Sequence, residues 1–425
     1  MTTMPALGKV LDRPASPGGS TVGDRDTAVD SSGPTVWMVV ASFAPAVGGA
    51  EAQAHNMAKE LRSRGWPVRV LTRRHRSAWQ GPAPPSREVM DGVPVQRVWS
   101  RGPGRLGSAT FLLSSLWHLG RHGRRGIYHA HDTGTAAGIA AVARRLFRGH
   151  SVVKLRSGRA AYERETRGTL ARRLFRRRLL LHDRLLVVNR EVEAYAKELG
   201  VPAHRIRYVP NSVDGRQFRT PEDRARKESK EHLGYPPHRP LVIYVGRLHP
   251  VKGVDVLIEA WAILAKRLSG GGTLAVVGDG PSRGELERRA AMLRVRESIS
   301  FEGERSDVTR FYRAADLFVL PSRSEGLSNA FMEALSCGVP IVASDVGGAS
   351  DLLSNGFSSG LVPAENPASL AREMGKRLED PAGHRARARI LREKVMAFMD
   401  VRAVAKELER IYLELGRGGA IGGGR

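Results

Sequence analysis

Residues 241–253 read Leu241-Val242-Ile243-Tyr244-Val245-Gly246-Arg247-Leu248-His249-Pro250-Val251-Lys252-Gly253, and an amphipathic segment follows at 253–268. The apolar run reads as a strand and the segment after it as a helix. Gly246 at the strand end permits close approach of a backbone. Arg247 offers a rigid fork for phosphate oxygens, and Lys252 a mobile charge beside a helix N-terminus, so together they can clamp a diphosphate. Arginine and lysine in a loop also serve as solvated surface charge. The pattern on either side has to decide.

Toward the C-terminus the same alternation continues, with strands at 273–277, 299–301, 317–320 and 341–343 and helices at 283–293, 307–314 and 329–336. Toward the N-terminus, strands at 36–42, 68–72, 127–130, 152–155 and 185–188 alternate with helices at 50–64, 134–147 and 190–199. Such alternation predicts parallel sheets. A polar, proline-containing stretch at about 211–240 interrupts it. The chain is therefore expected to form two Rossmann-like α/β domains, 34–210 and 211–395, with parallel sheets facing across a cleft. A length of 425 residues fits two cores better than one. Ligands of such sheets lie beyond the carboxyl ends of the strands, which puts a site in the cleft. A helical segment at 396–416 is expected to pack back across the hinge. The tails 1–33 and 417–425, rich in small and polar residues, are expected to be disordered.

Composition narrows the class. With 41% hydrophobic and 26% charged residues the chain reads as globular, and no apolar run reaches the length of a spanning helix. The first residues lack a secretory pattern, and the single Cys337 excludes an intramolecular disulfide, so a cytoplasmic location is expected. The net charge of +25 is unevenly placed. Residues 34–210 hold 32 Lys and Arg against 11 Asp and Glu, whereas residues 211–425 hold 33 against 28. One half carries almost all of the positive field, which suggests an anionic surface or substrate near it. No nucleic-acid-binding module or aromatic platform accompanies that charge. Asp24-Arg25-Asp26 looks like a metal-binding carboxylate pair but falls in the first tail, and no His or Cys spacing suggests zinc.

A second segment carries chemistry: Glu325-Gly326-Leu327-Ser328-Asn329-Ala330-Phe331-Met332-Glu333, after the strand at 317–320. A helix starting near Ser328 would turn its free N–H groups toward phosphate, and the two glutamates could accept hydrogen bonds from sugar and ribose hydroxyls. Taken alone, the same glutamates could equally serve the helix dipole and the surface.

Together these segments resemble the retaining glycosyltransferases of family 4, group 1 glycosyl transferases built on the two-domain GT-B fold. The resemblance runs from Val36 to about residue 415. It includes Gly48-Gly49-Ala50-Glu51, His129-Ala130-His131-Asp132, Val209-Pro210-Asn211-Ser212-Val213-Asp214, Val277-Gly278-Asp279-Gly280-Pro281 and Phe301-Glu302-Gly303 beside the two segments above. The family more often has glycine where Ser212 stands.

The resemblance implies a hexosyltransferase that takes its sugar from a nucleotide diphosphate donor. Arg247 and Lys252 would bind the diphosphate beside Gly246 and stabilise the leaving charge. Glu325 would hold the donor sugar, the amides around Leu327, Ser328 and Asn329 would meet sugar and phosphate oxygens, and Glu333 would contact the ribose. Glu304 and Arg305 would lie near the base. Gly48 and Gly49 would bring the first domain against the phosphates, where a side chain would obstruct. His131 would sit beside the sugar and help place the acceptor, with His129 structural. The family offers no nucleophile opposite the leaving group, so a front-face reaction with retention and no metal is expected. Uridine is the expected base and guanosine the alternative. A sugar-nucleotide epimerase and a non-catalytic nucleotide-sugar-binding protein are the rival readings on this architecture.

The acceptor is expected to be a glycan or a lipid-linked molecule. Residues 111–119 place Leu112, Leu113, Leu116, Trp117 and Leu119 on one broad helical face flanked by arginines. This is the pattern of an interfacial helix, which suggests peripheral contact with an anionic membrane, although core packing uses leucines in the same way. At 170–181, Arg177 falls among Leu170 and Leu174 and spoils the apolar stripe.

Overall fold

A computed structural model describes residues 33–43, 48–74, 84–102, 104–268, 270–354 and 360–418. Apart from Gly33 and residues 417–418, the two expected tails lie outside the described residues, as does Asp24-Arg25-Asp26. The first sheet contains β1 (Val36–Val39), β2 (Val68–Arg74), β3 (Arg87–Met90), β4 (Val93–Trp99), β5 (Ile127–Ala130), β6 (His150–Leu155), β7 (Arg184–Val187) and β8 (Ile206–Tyr208). The second contains β9 (Leu241–Val245), β10 (Thr273–Val277), β11 (Ile299–Gly303), β12 (Leu317–Leu320), β13 (Ile341–Ser344) and β14 (Leu361–Val362). Their orders are β3-β4-β2-β1-β5-β6-β7-β8 and β11-β10-β9-β12-β13-β14. The chain therefore reverses its direction of travel across the sheet between β1 and β5, and again between β9 and β12. The central strands β1, β5, β12 and β13 are buried along their whole length, as strands covered on both faces must be.

The helices of the first half are α1 (Gly49–Ser63), α2 (Gly104–His122), α3 (Thr135–Phe147), α4 (Arg159–Glu165), α5 (Thr169–Leu180) and α6 (Arg190–Glu198). Those of the second half are α7 (Asp223–His232), α8 (Val254–Ala265), α9 (Arg283–Met292), α10 (Val308–Ala314), α11 (Asn329–Ser336), α12 (Gly347–Leu353), α13 (Pro367–Glu379) and α14 (Pro381–Met399), followed by α15 (Val401–Gly418). The apolar residues of α15, Val401, Val404, Leu408, Ile411, Tyr412 and Leu415, recur at helical spacing and join the core formed by Val36, Met38, Met57 and Leu61 of the first half. Glu409 fixes this contact, accepting from Arg64 at 2.7 and 2.8 Å and from Trp66 at 3.1 Å. The last helix among the described residues therefore belongs to the first sheet, a single residue, Asp400, after α14 ends.

Three sequence expectations need correction. The first sheet is mixed, because β3 pairs antiparallel with β4. The hairpin signal was Asp91-Gly92, both at positive φ (49° and 78°), which suits the tight turn between twisted strands. The polar stretch at 211–240 contains a helix, α7. The leucine-rich face at 111–119 is divided: Phe111 and Leu119 enter the core, Leu112 and Leu116 border it, and Leu113 and Trp117 point outward, 66% and 62% exposed. On α5, Arg177 is exposed beside Leu170 and Leu174, which are exposed as well.

Candidate active site

The carboxyl ends of β9 and β12 flank the point where the second sheet reverses, and both candidate segments emerge there. Leu248 donates its N–H to the Asp279 carbonyl at 2.9 Å, and Ser282 N–H returns to the Leu248 carbonyl at 3.1 Å. These bonds lash the Gly246–Lys252 turn to the Gly278–Pro281 turn and explain why both motifs occur. Lys252 ends the turn just before α8 and reaches Glu325 Oε2 at 2.5 Å. Ser322 Oγ lies 3.3 Å from the same oxygen. Arg247 is exposed and, among the described residues, enters no ion pair.

The segment bearing Glu325 is gripped by backbone from both halves. A Cβ on Gly326 would lie 1.9 Å from the Arg156 carbonyl of the first half, so this contact admits only glycine. On its other side Gly347, at φ 54°, packs its Cα against the Glu325 carbonyl, where a Cβ would come within 2.0 Å. Asn189, fully buried at the N-cap of α6, donates to the Gly326 carbonyl at 2.8 Å. The Glu325 loop is thus held in the junction itself rather than on one domain. Ser328 then caps α11, its hydroxyl accepting from Phe331 N–H, and leaves the first amides of the helix unpaired within it. Leu327 is buried.

Glu333 lies in the second turn of α11 and accepts from the Tyr312 hydroxyl at 2.8 Å. Burial raises the Glu333 carboxyl above its ordinary value. Tyr312 is raised too, by its own burial and then by the Glu333 charge, while Tyr244, under the Gly246 turn, is raised by burial and by Glu325. Two buried tyrosines therefore floor the site between the two glutamates. Neither was legible in the sequence, because a tyrosine on a buried strand or helix face gives the same pattern as any core aromatic.

The first half contributes less directly. Gly48 is extended (φ −168°), a conformation open to any residue, and a Cβ there would meet the Glu51 carboxylate. Above Gly49 stands Asn329, which donates to the Gly49 carbonyl at 2.9 Å. His131 follows β5 but is 5% exposed, stacked on His129 with centroids 4.5 Å apart, and lines a small cavity with Gln53 and Lys154. Burial, then the neighbouring His129, Lys154 and Arg156, hold its pKa well below 6.5, so its imidazole is neutral. His129 bonds Tyr412 of α15 at 2.7 Å, as a structural residue would. Arg305 is exposed and forms a two-pronged pair with Asp307 at 2.9 and 3.0 Å, beside the exposed Glu304. The structure thus brings Lys252, Glu325, Leu327 and Asn329 together, with Glu333 on the helix that follows. It keeps His131 beneath the surface of the junction and Arg305 engaged within its own loop.

Among the described residues no cluster of His, Cys, Asp and Glu could hold a metal ion. Two open cavities, one bordered by Arg377 and His384 and one by Arg219 and Arg313, lie away from the Lys252–Glu325 pair. What the junction can do chemically is hold an anion against fixed cations and hydroxyls against carboxylates.

Comparison with known proteins bears on the family and the fold. Residues 48–212 match a family model described as a glycosyl transferase 4-like domain, and residues 239–380 match one described as glycosyl transferases group 1. The chain is 29% identical over 361 residues to a D-inositol 3-phosphate glycosyltransferase of Streptomyces bingchenggensis, spanning 79% of this chain and 78% of that protein. Its fold is similar to that of sucrose-phosphate synthase from Thermosynechococcus elongatus, with TM-score 0.78, 21% identity, and 91% and 100% of the two chains covered. It is similar also to Anabaena HepE in complex with UDP-glucose, with TM-score 0.74, 20% identity, and 89% and 99% covered. With both halves matched and the motif loops meeting at the reversal points of two sheets, the chain belongs to the family 4 glycosyltransferases of GT-B fold.

Proposed function

We propose that this glycosyltransferase transfers a hexosyl unit from a nucleotide diphosphate sugar, with retention of configuration, to a glycan or lipid-linked acceptor. The observation that carries the proposal is the Lys252–Glu325 pair at the reversal point of the second sheet, with the exposed Arg247 on the same turn. Breaking a glycosyl phosphate bond builds negative charge on the departing diphosphate, and fixed cations at that oxygen lower the barrier. Lys252 and Arg247 supply them without a metal ion. Glu325, tied to Lys252 and Ser322, is restrained in the manner of a residue that orients hydroxyls. A front-face course follows, in which the leaving phosphate oxygen takes the acceptor proton and the new bond forms on the same face. Glu333, oriented by Tyr312, holds the ribose. The base is uridine, in keeping with a structural neighbour crystallised with UDP-glucose.

The acceptor reading rests on the outer layer of the first half. Helices α2, α3 and α5 cover one face of the first sheet, opposite α1 and α15. That layer exposes Leu106, Leu113 and Trp117 on α2, Leu146 on α3, and Leu170 and Leu174 on α5. Arg121 stacks on Trp117 at 4.0 Å, and arginines surround the leucines of α5. Apolar side chains ringed by guanidinium groups suit an anionic bilayer surface. The chain would then work at the cytoplasmic face of a membrane. No helix among the described residues is long and apolar enough to cross one.

A panel of sugar nucleotides examined by ligand-observed NMR tests the donor reading, and binding of none of them would refute it. Transfer that persists in excess EDTA, with an α-linked product from an α-linked donor, is expected. Co-sedimentation with anionic but not neutral liposomes, reduced by Trp117→Asp, tests the membrane reading.

A further inference from the structure

A saturated polar cluster joins the two halves beside the proposed donor loop. Gln53 lies one turn into α1 from Gly49 and is 8% exposed. Its Oε1 accepts from Ser212 N–H at 2.8 Å and from the Ser212 hydroxyl at 3.2 Å. Its Nε2 donates to the Ser212 carbonyl at 2.6 Å and to Asn329 Oδ1 at 3.1 Å. That uses the full bonding capacity of a primary amide. Asn329 in turn donates Nδ2 to the Gly49 carbonyl at 2.9 Å, and Asn211 Nδ2 reaches the Leu327 carbonyl at 2.8 Å and Asn329 Oδ1 at 3.3 Å. One side chain therefore touches three bodies: the helix of the first half, the connection between the halves, and the start of α11.

The pairing of Gln53 with both the N–H and the C=O of Ser212 imitates a strand pairing, so it fixes the connection in register as well as in distance. The bond to Asn329 exists only while the second half stands against the first. Drawing the halves apart would strand several buried amide groups at once unless water followed them. Ser212 also acquires a reason to be serine. Its hydroxyl gives Gln53 a contact that glycine could not give.

We propose that Gln53 is a positioning residue for the transfer reaction. It reads the connection at Ser212 and, through Asn329, holds the Gly48–Gly49 turn and the Leu327–Asn329 segment in register when the cleft is shut. The proposal rests on the donor site argued above, but the latch itself is a property of the ligand-free protein. Apart from the Gly48–Gly49 backbone and His131, the groups proposed to bind the donor lie on the second half, so weakening the latch lowers the closed population while the nucleotide keeps most of its contacts.

Gln53→Met keeps the length of the side chain and removes its hydrogen bonds, while Ser212→Gly removes only the hydroxyl contact and serves if the first variant folds poorly. Small-angle scattering of the ligand-free Gln53→Met protein is expected to give a larger radius of gyration than wild type. Its kcat should fall at least about tenfold while donor KM and the Kd for UDP stay within about threefold. Gln53→Glu, which sets a carboxylate oxygen against the Ser212 carbonyl and Asn329 Oδ1, should fall at least as far as Gln53→Met, and Ser212→Gly should cost about two- to threefold in kcat. A folded Gln53→Met protein with kcat within about twofold of wild type overturns the proposal, as does a loss of kcat matched by an equal loss of UDP affinity. Should wild type bind no nucleotide, the donor reading fails separately, and unchanged scattering of the variant then refutes the latch.

Discussion

In the first half His118, His129, His131 and His182 are buried, and none meets a carboxylate at ion-pair distance among the described residues. Lys154 is buried there too, and among the described residues it donates only to the Pro210 carbonyl, at 3.1 Å. In the second half the buried cations are paired: Lys230 with Asp316 at 2.5 Å and Arg377 with Glu373 at 2.6 Å. The half with the greater positive charge thus keeps its interior histidines neutral and Lys154 poorly solvated, and it buries Arg97 against Glu88. The half with balanced charge neutralises its interior and leaves Arg247 exposed at the site. The electrostatic excess and the proposed donor cations thus lie in different halves.

Acid should separate the halves most strongly. Burial lowers His118 and His182 to about 4 and His129 to about 3. Between pH 6.5 and those values the unfolded chain binds more protons than the folded one, so stability present above 6.5 is lost as pH falls. The loss is roughly 1–2 kcal/mol for each histidine at pH 5. Hydrogen exchange at pH 5 should therefore show β5 and β7 opening before β9 and β12; simultaneous opening would erase the contrast.

Catalysis should respond in the other half. Lys252→Ala is expected to keep the fold and lower turnover by at least about a hundredfold, as when one transition-state donor is lost. An unchanged rate in a folded Lys252→Ala protein would remove the diphosphate clamp. A smaller effect should come from Tyr312→Phe, which deprives Glu333 of its orienting bond. Donor KM should rise about three- to tenfold with kcat nearly constant. A kcat loss instead would move Glu333 from the ribose toward the reacting sugar.

The smallest effect returns to the first half. Burial, then the Arg156 charge, lowers Lys154 to about 7. From pH 7 toward 10.5 the unfolded lysine holds its proton while the folded one loses it, so stability should rise with pH over that window. Between pH 7 and pH 8 the expected gain is on the order of 1 kcal/mol. Lys154→Met should abolish the slope, and a slope that survives the substitution would assign it elsewhere.

Most of the strand-helix order was legible because each element declares itself within about ten residues, through apolar runs and helical spacing. The candidate loops were legible for a related reason: in a parallel sheet the turns after the strands all emerge on one edge, so Gly246–Gly253 and Glu325–Glu333 had to meet there. Asp91-Gly92 was a readable hairpin signal that the shortness and exposure of β3 masked.

Sequence alone determined the two α/β halves, the family, and the loops that face the junction. Tertiary structure alone decided that Gln53 reaches Ser212, 159 positions away, and that Asn329 reaches Gly49, 280 positions away. It also turned Leu113 outward and Leu119 inward on one helix, and put Tyr312 beneath Glu333. The reason is physical. Periodicity and turn chemistry are local properties of the chain, whereas a hydrogen bond between distant side chains depends on the packing of everything that brings them together.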